Sequence, residues 1–553
     1  MKVTIANQNK ITRRYARYAE IPSCAPGWQT FKYGKLGELT ENIRTFALPF
    51  ENRTYTFKMQ YEYDIWNRIQ TMTYPDGEVV KYGYDRGGML DRMRGEVEID
   101  NGQPYEPERQ ERTSPWCDSF YPYPDTGHST TIIYAYPYIC GISYNEFGLK
   151  DSVFYGNGTS AHYEYDSLQR LSNLRSYTAS GTKMQNINYT YDRANNITHI
   201  SNSAGGVSGL GGRYEGAYRY DNLYRLVSAN GYWKNRRDSL PFSERMTYAA
   251  NGRILTKETD AQALLGNHVT SLQYSNEYIY RNGRNQIRDV MVTSQSPAEQ
   301  TFSWDNCGNM TIWETTLLSG SRQLRTQTWT EDNRLQTVAD NDMFSYFQYD
   351  AAGECTYKRS WPVLTQNVNG MPSLMFFQGN ATLYASPYLV ITPQGYTKHY
   401  YTEAERITSQ IGKGKFADVS IPVVSDSLVQ VKLQAVTGNV GQGAIGNAMF
   451  SYMDTLEDRQ DTDITLYFYL PDHLGSSSWI TDTGGHAVQH LHYLPWGEDY
   501  VNQRLNGYEG VRYTFSAKEK DVETGLSYFG SRYYSSDLSV WLSVDPMAAN
   551  IRR

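Results

Sequence analysis

The sequence predicts an all-β protein, a long antiparallel sheet of stacked hairpins that coils on itself. Three observations carry that prediction. The 553 residues hold 49 tyrosines against 18 phenylalanines and 11 tryptophans. A ring with a polar tip suits a half-buried strand, where its face packs and its hydroxyl reaches a partner. A Tyr-Asp dipeptide recurs along the chain inside a unit that reads as strand, tight turn and returning strand. Within those strands apolar and polar residues alternate, and charged residues reach only 20%, below the ~25% of ordinary soluble domains.

The stretch YEYDIWNRIQTMTYPDGEVVKYGYD, from Tyr61 to Asp85, displays the unit. Tyr63-Asp64 closes one strand, Arg68-Ile69 opens the next, Pro75-Asp76-Gly77 turns the chain, and Tyr84-Asp85 begins the following copy. The frame returns at Tyr165-Asp166, Tyr191-Asp192, Tyr220-Asp221 and Tyr349-Asp350, with diverged copies at Tyr144-Asn145, Tyr248-Ala249, Tyr280-Arg281 and Trp304-Asp305. Alternation such as Tyr61, Tyr63, Ile65 puts rings on one strand face, while Asp with a nearby Gly, Asn or Ser suits a turn. A lone hairpin is marginal in water, so the units must stack. Right-handed strand twist then coils the strip. The periodicity alone is equally compatible with a propeller or a sandwich.

Composition excludes several classes. Lys plus Arg total 52 and Asp plus Glu 59, a net charge of -7 without long runs, so no nucleic-acid footprint is expected. No apolar run approaches the roughly 18 residues of a membrane span, and the first twenty residues lack the apolar core of a secretory signal. Localisation is left open. Cys24, Cys117, Cys140, Cys307 and Cys355 are scattered without C-x-x-C spacing, so unpaired thiols are expected and no disulfide framework or zinc site. His473, His486, His490 and His492 cluster in sequence, but no cysteine or grouped carboxylate accompanies them, and no metal is expected. SGLGG at 208–212 lacks the Lys-Ser/Thr of a phosphate loop, and no G-x-S-x-G is present, so no cofactor is expected.

The chain divides into an N-terminal segment (1–30), a repeat region (31–412), a linker or insertion with room for a short helix (413–463), a distinct C-terminal module (464–547) and a short tail (548–553). Residues 101–138, rich in Pro and aromatics, read as a surface insertion. Residues 203–212 read as a flexible Gly/Ser loop.

The C-terminal module carries Asp472-His473-Leu474-Gly475-Ser476, then Tyr493-Leu494-Pro495-Trp496-Gly497, then Glu523-Thr524-Gly525-Leu526 with Tyr528 and Arg532-Tyr533-Tyr534, then Asp545-Pro546. These motifs, in this order, resemble the RHS repeat-associated core domain. With the Tyr-Asp units, the resemblance to RHS/YD-repeat proteins covers roughly residues 60–545. That family includes bacterial polymorphic toxins, cocoon-forming subunits of insect toxin complexes and the shell of teneurins. The resemblance implies a hollow β shell plugged by the core domain, enclosing a C-terminal toxin that an aspartyl autoprotease releases. Its implied partners are toxin cargo and the secretion or delivery components of the full-length relatives.

The resemblance puts one catalytic carboxylate at Asp545 and its partner at position 535, which is Ser535, with Ser536 and Ser539 where Pro and Gly are expected. Asp537 lies two residues along. The competing reading makes Asp545 a turn cap before Pro546. Only AANIRR follows Met547, so the expectation is a shell and plug without its effector, used in interbacterial competition. Two alternatives stand beside it, a residual autoprotease acting through Asp545 and a surface carbohydrate-binding or adhesion module.

Overall fold

The structure is a computed structural model that describes residues 2–6, 27–47, 54–100, 117, 131–294, 298–340, 342–368, 371–376, 380–413, 416, 465–508 and 510–549. Thirty-four strands form one sheet. From Lys2–Ala6 against Trp28–Tyr33 onward, each strand runs antiparallel to the next in sequence, interrupted only where the hairpin of Cys355–Val368 and Met371–Phe376 projects beside the ladder. The last strand, Asp499–Arg504, also lies parallel to Ile254–Leu265, through Leu264↔Val501 and Leu265↔Asn502. That pairing closes the strip on itself, and the coiled shell expected from strand twist is the observed architecture. A second sheet of four short strands, Glu519–Lys520, Ser527–Tyr528, Tyr533–Ser535 and Val540–Trp541, forms a plug. Among the described residues the only helical turns are the short 3-10 segments Phe515–Ala517 and Pro546–Ala549, and no helix is long and apolar enough to cross a membrane.

The repeat has a physical logic that recurs in unit after unit. Asp221 Oδ1 accepts from the amides of Leu223 and Arg225 at 2.9 and 3.0 Å, and its Oδ2 accepts from Arg225 Nε at 2.7 Å. Asp64 and Asp166 cap their turns in the same way. The third residue after the Asp takes positive φ, at Asn67 (63°), Gly88 (88°), Asn195 (69°) and Gly308 (87°), as a turn ending in a left-handed residue requires. Hence Gly or Asn usually stands there, while Gln169 and Tyr224 adopt the same conformation without that advantage.

The arginine then reaches forward: Arg68 lies 4.2 Å over Tyr84 and Arg225 4.7 Å over Tyr248. The tyrosine reaches back. Tyr84 donates to the Ile69 carbonyl, Tyr165 to Lys150, Tyr191 to Leu171, Tyr220 to Ile197, Tyr248 to Leu226 and Tyr280 to Ile254, at 2.7–3.0 Å. Each acceptor is the first residue of the returning strand in the preceding Tyr-Asp hairpin, so every tyrosine bolts one hairpin to the one before. Trp304 and Trp329 do the same with their indole N–H, to Ile287 and Met310. This accounts for the excess of tyrosine over phenylalanine, which lacks the bolt.

Coiling brings distant strands face to face. Met59, Val80, Met93 and Tyr138 share one buried cluster with Tyr400, Ile407, Phe468 and Trp479. Tyr214, Trp233 and Phe242 share another with Leu494, Tyr500 and Val501. Burial of such side chains, about 1.5–3 kcal/mol each, drives the association.

Several expectations change. Strand Thr131–Tyr144 begins inside the supposed insertion and pairs with Leu90–Asp100, so 131–138 belongs to the sheet; alternation in TIIYAY was masked by the flanking prolines. The 203–212 loop is packed: Ala204 and Leu210 are buried, Val207 and Leu210 bridge, and Gly211 N donates to Gln503 Oε1 at 2.8 Å. Strand Glu405–Lys413 pairs directly with Thr465–Pro471, so the sheet is continuous across 413–463 and the first part of the C-terminal module is shell wall. The short-helix reading falls on residues 417–463, outside the described residues. Cys117 and Cys140 form a disulfide across 23 residues, with Cα atoms 5.3 Å apart, contrary to the expectation of unpaired thiols. Their spacing follows no short motif. Cys307 is free and exposed, Cys355 free and half-buried.

Candidate functional site

The first two core motifs are repeat turns in altered wording. Asp472 Oδ1 accepts from the amides of Leu474 and Ser476 at 2.8 and 2.9 Å, and Gly475 takes φ 75°. Tyr493 donates to the Ser477 carbonyl at 3.1 Å, the same bolt as in the repeats. Pro495-Trp496-Gly497 form the next turn, where Gly497 (φ 90°) leaves no room for a side chain beside Phe515. His473 packs 4.9 Å from the Tyr189 ring. His490 and His492 lie buried against Trp479 and Tyr214, and burial pushes their imidazoles down to about 3 and about 4. Among the described residues no group of three or more His, Cys, Asp or Glu side chains is arranged to hold a metal ion.

The remaining motifs build the plug and fasten it. Gly525 N donates to the Asp521 carbonyl at 2.7 Å and Leu526 is buried. Thr524 accepts from Arg325 at 3.0 Å, Tyr528 OH accepts from the Cys355 amide at 3.0 Å, and Tyr534 donates to the Trp496 carbonyl at 2.9 Å. Tyr533 packs on Phe347.

Asp545 is half-exposed, ion-paired to Arg532 at 3.0 Å, and accepts from the Met547 amide at 2.9 Å, beside the 3-10 turn that Pro546 begins. Ser535 is buried and accepts from the Leu538 amide at 3.3 Å. Asp537 is open to solvent yet ringed by protein, and its carboxyl is pushed up by desolvation and then by Glu498. The contacts around Asp545 are those of a cap, and the charged partner among them is a cation.

Two charged nodes that sequence reading passed over join plug to wall. Lys257, fully buried, contacts Glu498 and Ser539 Oγ (2.9 Å), with Glu244 at 3.8 Å, while Tyr274 donates to Glu498 at 2.9 Å. Burial opposes the lysine's charge, but Glu498, Tyr274 and Glu244 outweigh it and hold its pKa well above the ordinary value. Burial, then Glu498, pushes the Glu244 carboxyl up to about 8. In the second node Lys358 contacts both Asp521 and Glu523. Burial raises Asp521 despite the lysine, whereas contact with Asp521 and Lys358 overcomes burial and lowers Glu523. A signal for Lys257 was present: it stands in phase with the inward Thr259, Ala261 and Ala263 of its strand, where a charge demands a partner.

A cavity of about 960 Å³ lies between wall and plug, bordered by Tyr144, Tyr163, Tyr384, His473, Tyr513 and Glu519. Its walls are neither strongly apolar nor of one charge.

No family model matches the sequence. Toxin subunit YenC1 of Yersinia entomophaga is 23% identical over 442 residues, which are 73% of this chain and 39% of that protein. Toxin subunit YenC2 of the same organism is 24% identical over 447 residues. The tRNA nuclease WapA of Bacillus subtilis is 34% identical over 80 residues, 14% of this chain and 3% of its own length. The chain thus spans about 40% of the length of the toxin subunits it matches. Among solved structures, a TcdB2–TccC3 crystal structure superposes with TM-score 0.62 at 17% identity, covering 94% of this chain and 22% of that one. A Photorhabdus luminescens Tc holotoxin pore gives 0.63 at the same identity and coverage. With its bolted Tyr-Asp hairpins, its ordered core motifs and the fold of those structures, the chain resembles RHS/YD-repeat shell proteins.

Proposed function

We propose that this chain is the encapsulating wall and plug of a toxin of the RHS class, keeping a toxin polypeptide inert until delivery, in competition between bacteria. The observation that carries the reading is the closure of the strip at Leu264↔Val501 together with the plug fastened across it by Lys257 and Lys358. A wall that serves only as a binding surface has no need of either. Similarity to toxin subunits supports a toxin polypeptide as the cargo, and the TcdB2–TccC3 complexes support a further shell subunit as a partner.

The test attaches a protease-sensitive reporter peptide after the plug and compares its digestion in the native protein with that after mild denaturation. Protection lost in step with shell unfolding supports encapsulation. A reporter cleaved at the rate of the free peptide overturns it. Killing of competitor bacteria by a strain carrying the gene, lost on its deletion, tests the competitive role.

A further inference from the structure

The hairpin turns after each Tyr-Asp all fall on one rim of the sheet, because the intervening connections return the chain to the other. The plug touches this rim beside two of its later turns. The Met310 amide donates to the Leu542 carbonyl at 2.9 Å, Gly308 faces Val544, and Arg334 donates to the Gly530 carbonyl at 3.0 Å. On these turns the second residue after the Asp position is small or polar: Cys307, Asp332 and Ala352.

The earlier turns differ in kind. At the same position stand Leu36 (79% exposed), Trp66 (70%), Phe147 (61%), Leu168 (66%) and Leu223 (61%). Gly87 and Ala194 fill the two remaining places, and the next turn, with Asn251, ends the apolar series. Hairpins repeat every two strands, so successive tips are about 10 Å apart. Charges cancel within three of these turns, as Arg68 pairs with Asp64, Arg170 with Asp166 and Arg225 with Asp221, whereas Glu146 beside Phe147 leaves one negative charge at the middle turn. The rim therefore presents regularly spaced apolar knobs with little net charge.

The geometry points to a second copy of this chain as the occupant, docked rim to rim about a two-fold axis. Read along the rim the seven tips are Leu36, Trp66, Gly87, Phe147, Leu168, Ala194 and Leu223. Reversed against itself, as a two-fold requires, the series places Trp66 opposite Ala194, Leu168 opposite Gly87, Leu36 opposite Leu223 and Phe147 opposite its own copy. Large side chains meet small ones where bulk would otherwise collide, and the repeat spacing matches by identity. The exposed tips offer on the order of 700 Å² per copy, close to the roughly 800 Å² per partner of a standard interface.

Sedimentation velocity of the full chain across about 1–50 µM tests this, with dimer the expected species. Phe147→Asp, at an exposed turn tip, shifts the protein to monomer with its circular dichroism unchanged. In a Cys307→Ser background, Phe147→Cys oxidises to a covalent dimer. Leu223→Cys does so only when mixed with Leu36→Cys, which fixes the register. A 63.4 kDa monomer at every concentration, a dimer indifferent to Phe147→Asp, or cross-linking of Leu223→Cys alone overturns the proposal. A monomer whose tips are covered by residues 417–464, or by a different protein, falls under the first of these outcomes.

Discussion

Lys257→Met removes the cation from a node in which the wall strand Ile254–Leu265, the turn before Asp499–Arg504 and the plug meet. The lysine side chain is fully buried, and those of Glu498 and Glu244 are 8% and 1% exposed. One oxygen of each carboxylate already lacks a hydrogen-bond partner. Loss of the ammonium leaves Glu498 as an uncompensated buried charge, which costs about 3–5 kcal/mol. At 1.4 kcal/mol per tenfold, local opening then rises roughly 10²- to 10⁴-fold. Hydrogen exchange reads this directly, at the amides of Tyr533–Ser535 in the plug and Asp499–Arg504 in the closing strand. The double variant Lys257→Met with Glu498→Gln carries no orphaned charge, so it regains most of the loss, leaving about 1 kcal/mol for the missing hydrogen bonds. Exchange within tenfold of wild type in the single variant refutes the reasoning. So does a double variant that opens as readily as the sum of its singles.

The remaining predictions concern pH, the bolts, Asp545 and the disulfide. Folded Glu244 keeps its proton up to about pH 8, while the unfolded chain releases it near 4.5. The folded state thus binds more protons in that window, and stability falls as pH rises through it; a melting-temperature series in which Glu244→Gln fails to flatten this slope refutes the assignment. Tyr220→Phe keeps the ring and deletes the bond to Ile197, costing about 0.5–1.5 kcal/mol by differential unfolding, whereas an unchanged midpoint would show the bolt to be idle. Asp545→Asn leaves the intact mass of the purified chain as in wild type if Asp545 is a cap on Arg532 and Met547; fragments seen only in wild type restore the protease reading. Non-reducing peptide maps join the peptides containing Cys117 and Cys140, and reduction separates them.

The fold was legible in the sequence because its determinants are local and repeated. Tyr220-Asp221 and Arg225 lie within six residues, and the Asp cap, the left-handed turn residue and the returning arginine all follow from that short text. The bolts were not legible, because the acceptor is a backbone carbonyl, which leaves no mark on residue identity. Tyr144 donates to Leu90, 54 residues earlier, across an insertion that hides the periodicity. The direct pairing of Glu405–Lys413 with Thr465–Pro471 is hidden for a related reason. Asp472-His473-Leu474-Gly475 and Tyr493 keep the geometry of the repeat while changing its wording, so a change of motif looked like a change of domain.

The charged nodes mark where local reading stops altogether. Lys257 reaches Glu498 and Ser539 across 241 and 282 residues, and Lys358 reaches Asp521 across 163. Each lysine stands on a wall strand, and Glu498, Asp521 and Glu523 stand at or beside a core motif. Hydrophobic contact alone lets a coiled strip slide by one pleat, since apolar faces are interchangeable along its length. A buried ammonium tolerates no such slip, because the misplaced register leaves it and its carboxylates unpaired. The repeats therefore supply the wall and its cohesion, and the two lysines, whose charge is no part of the repeat motif, set the register at which wall and plug close.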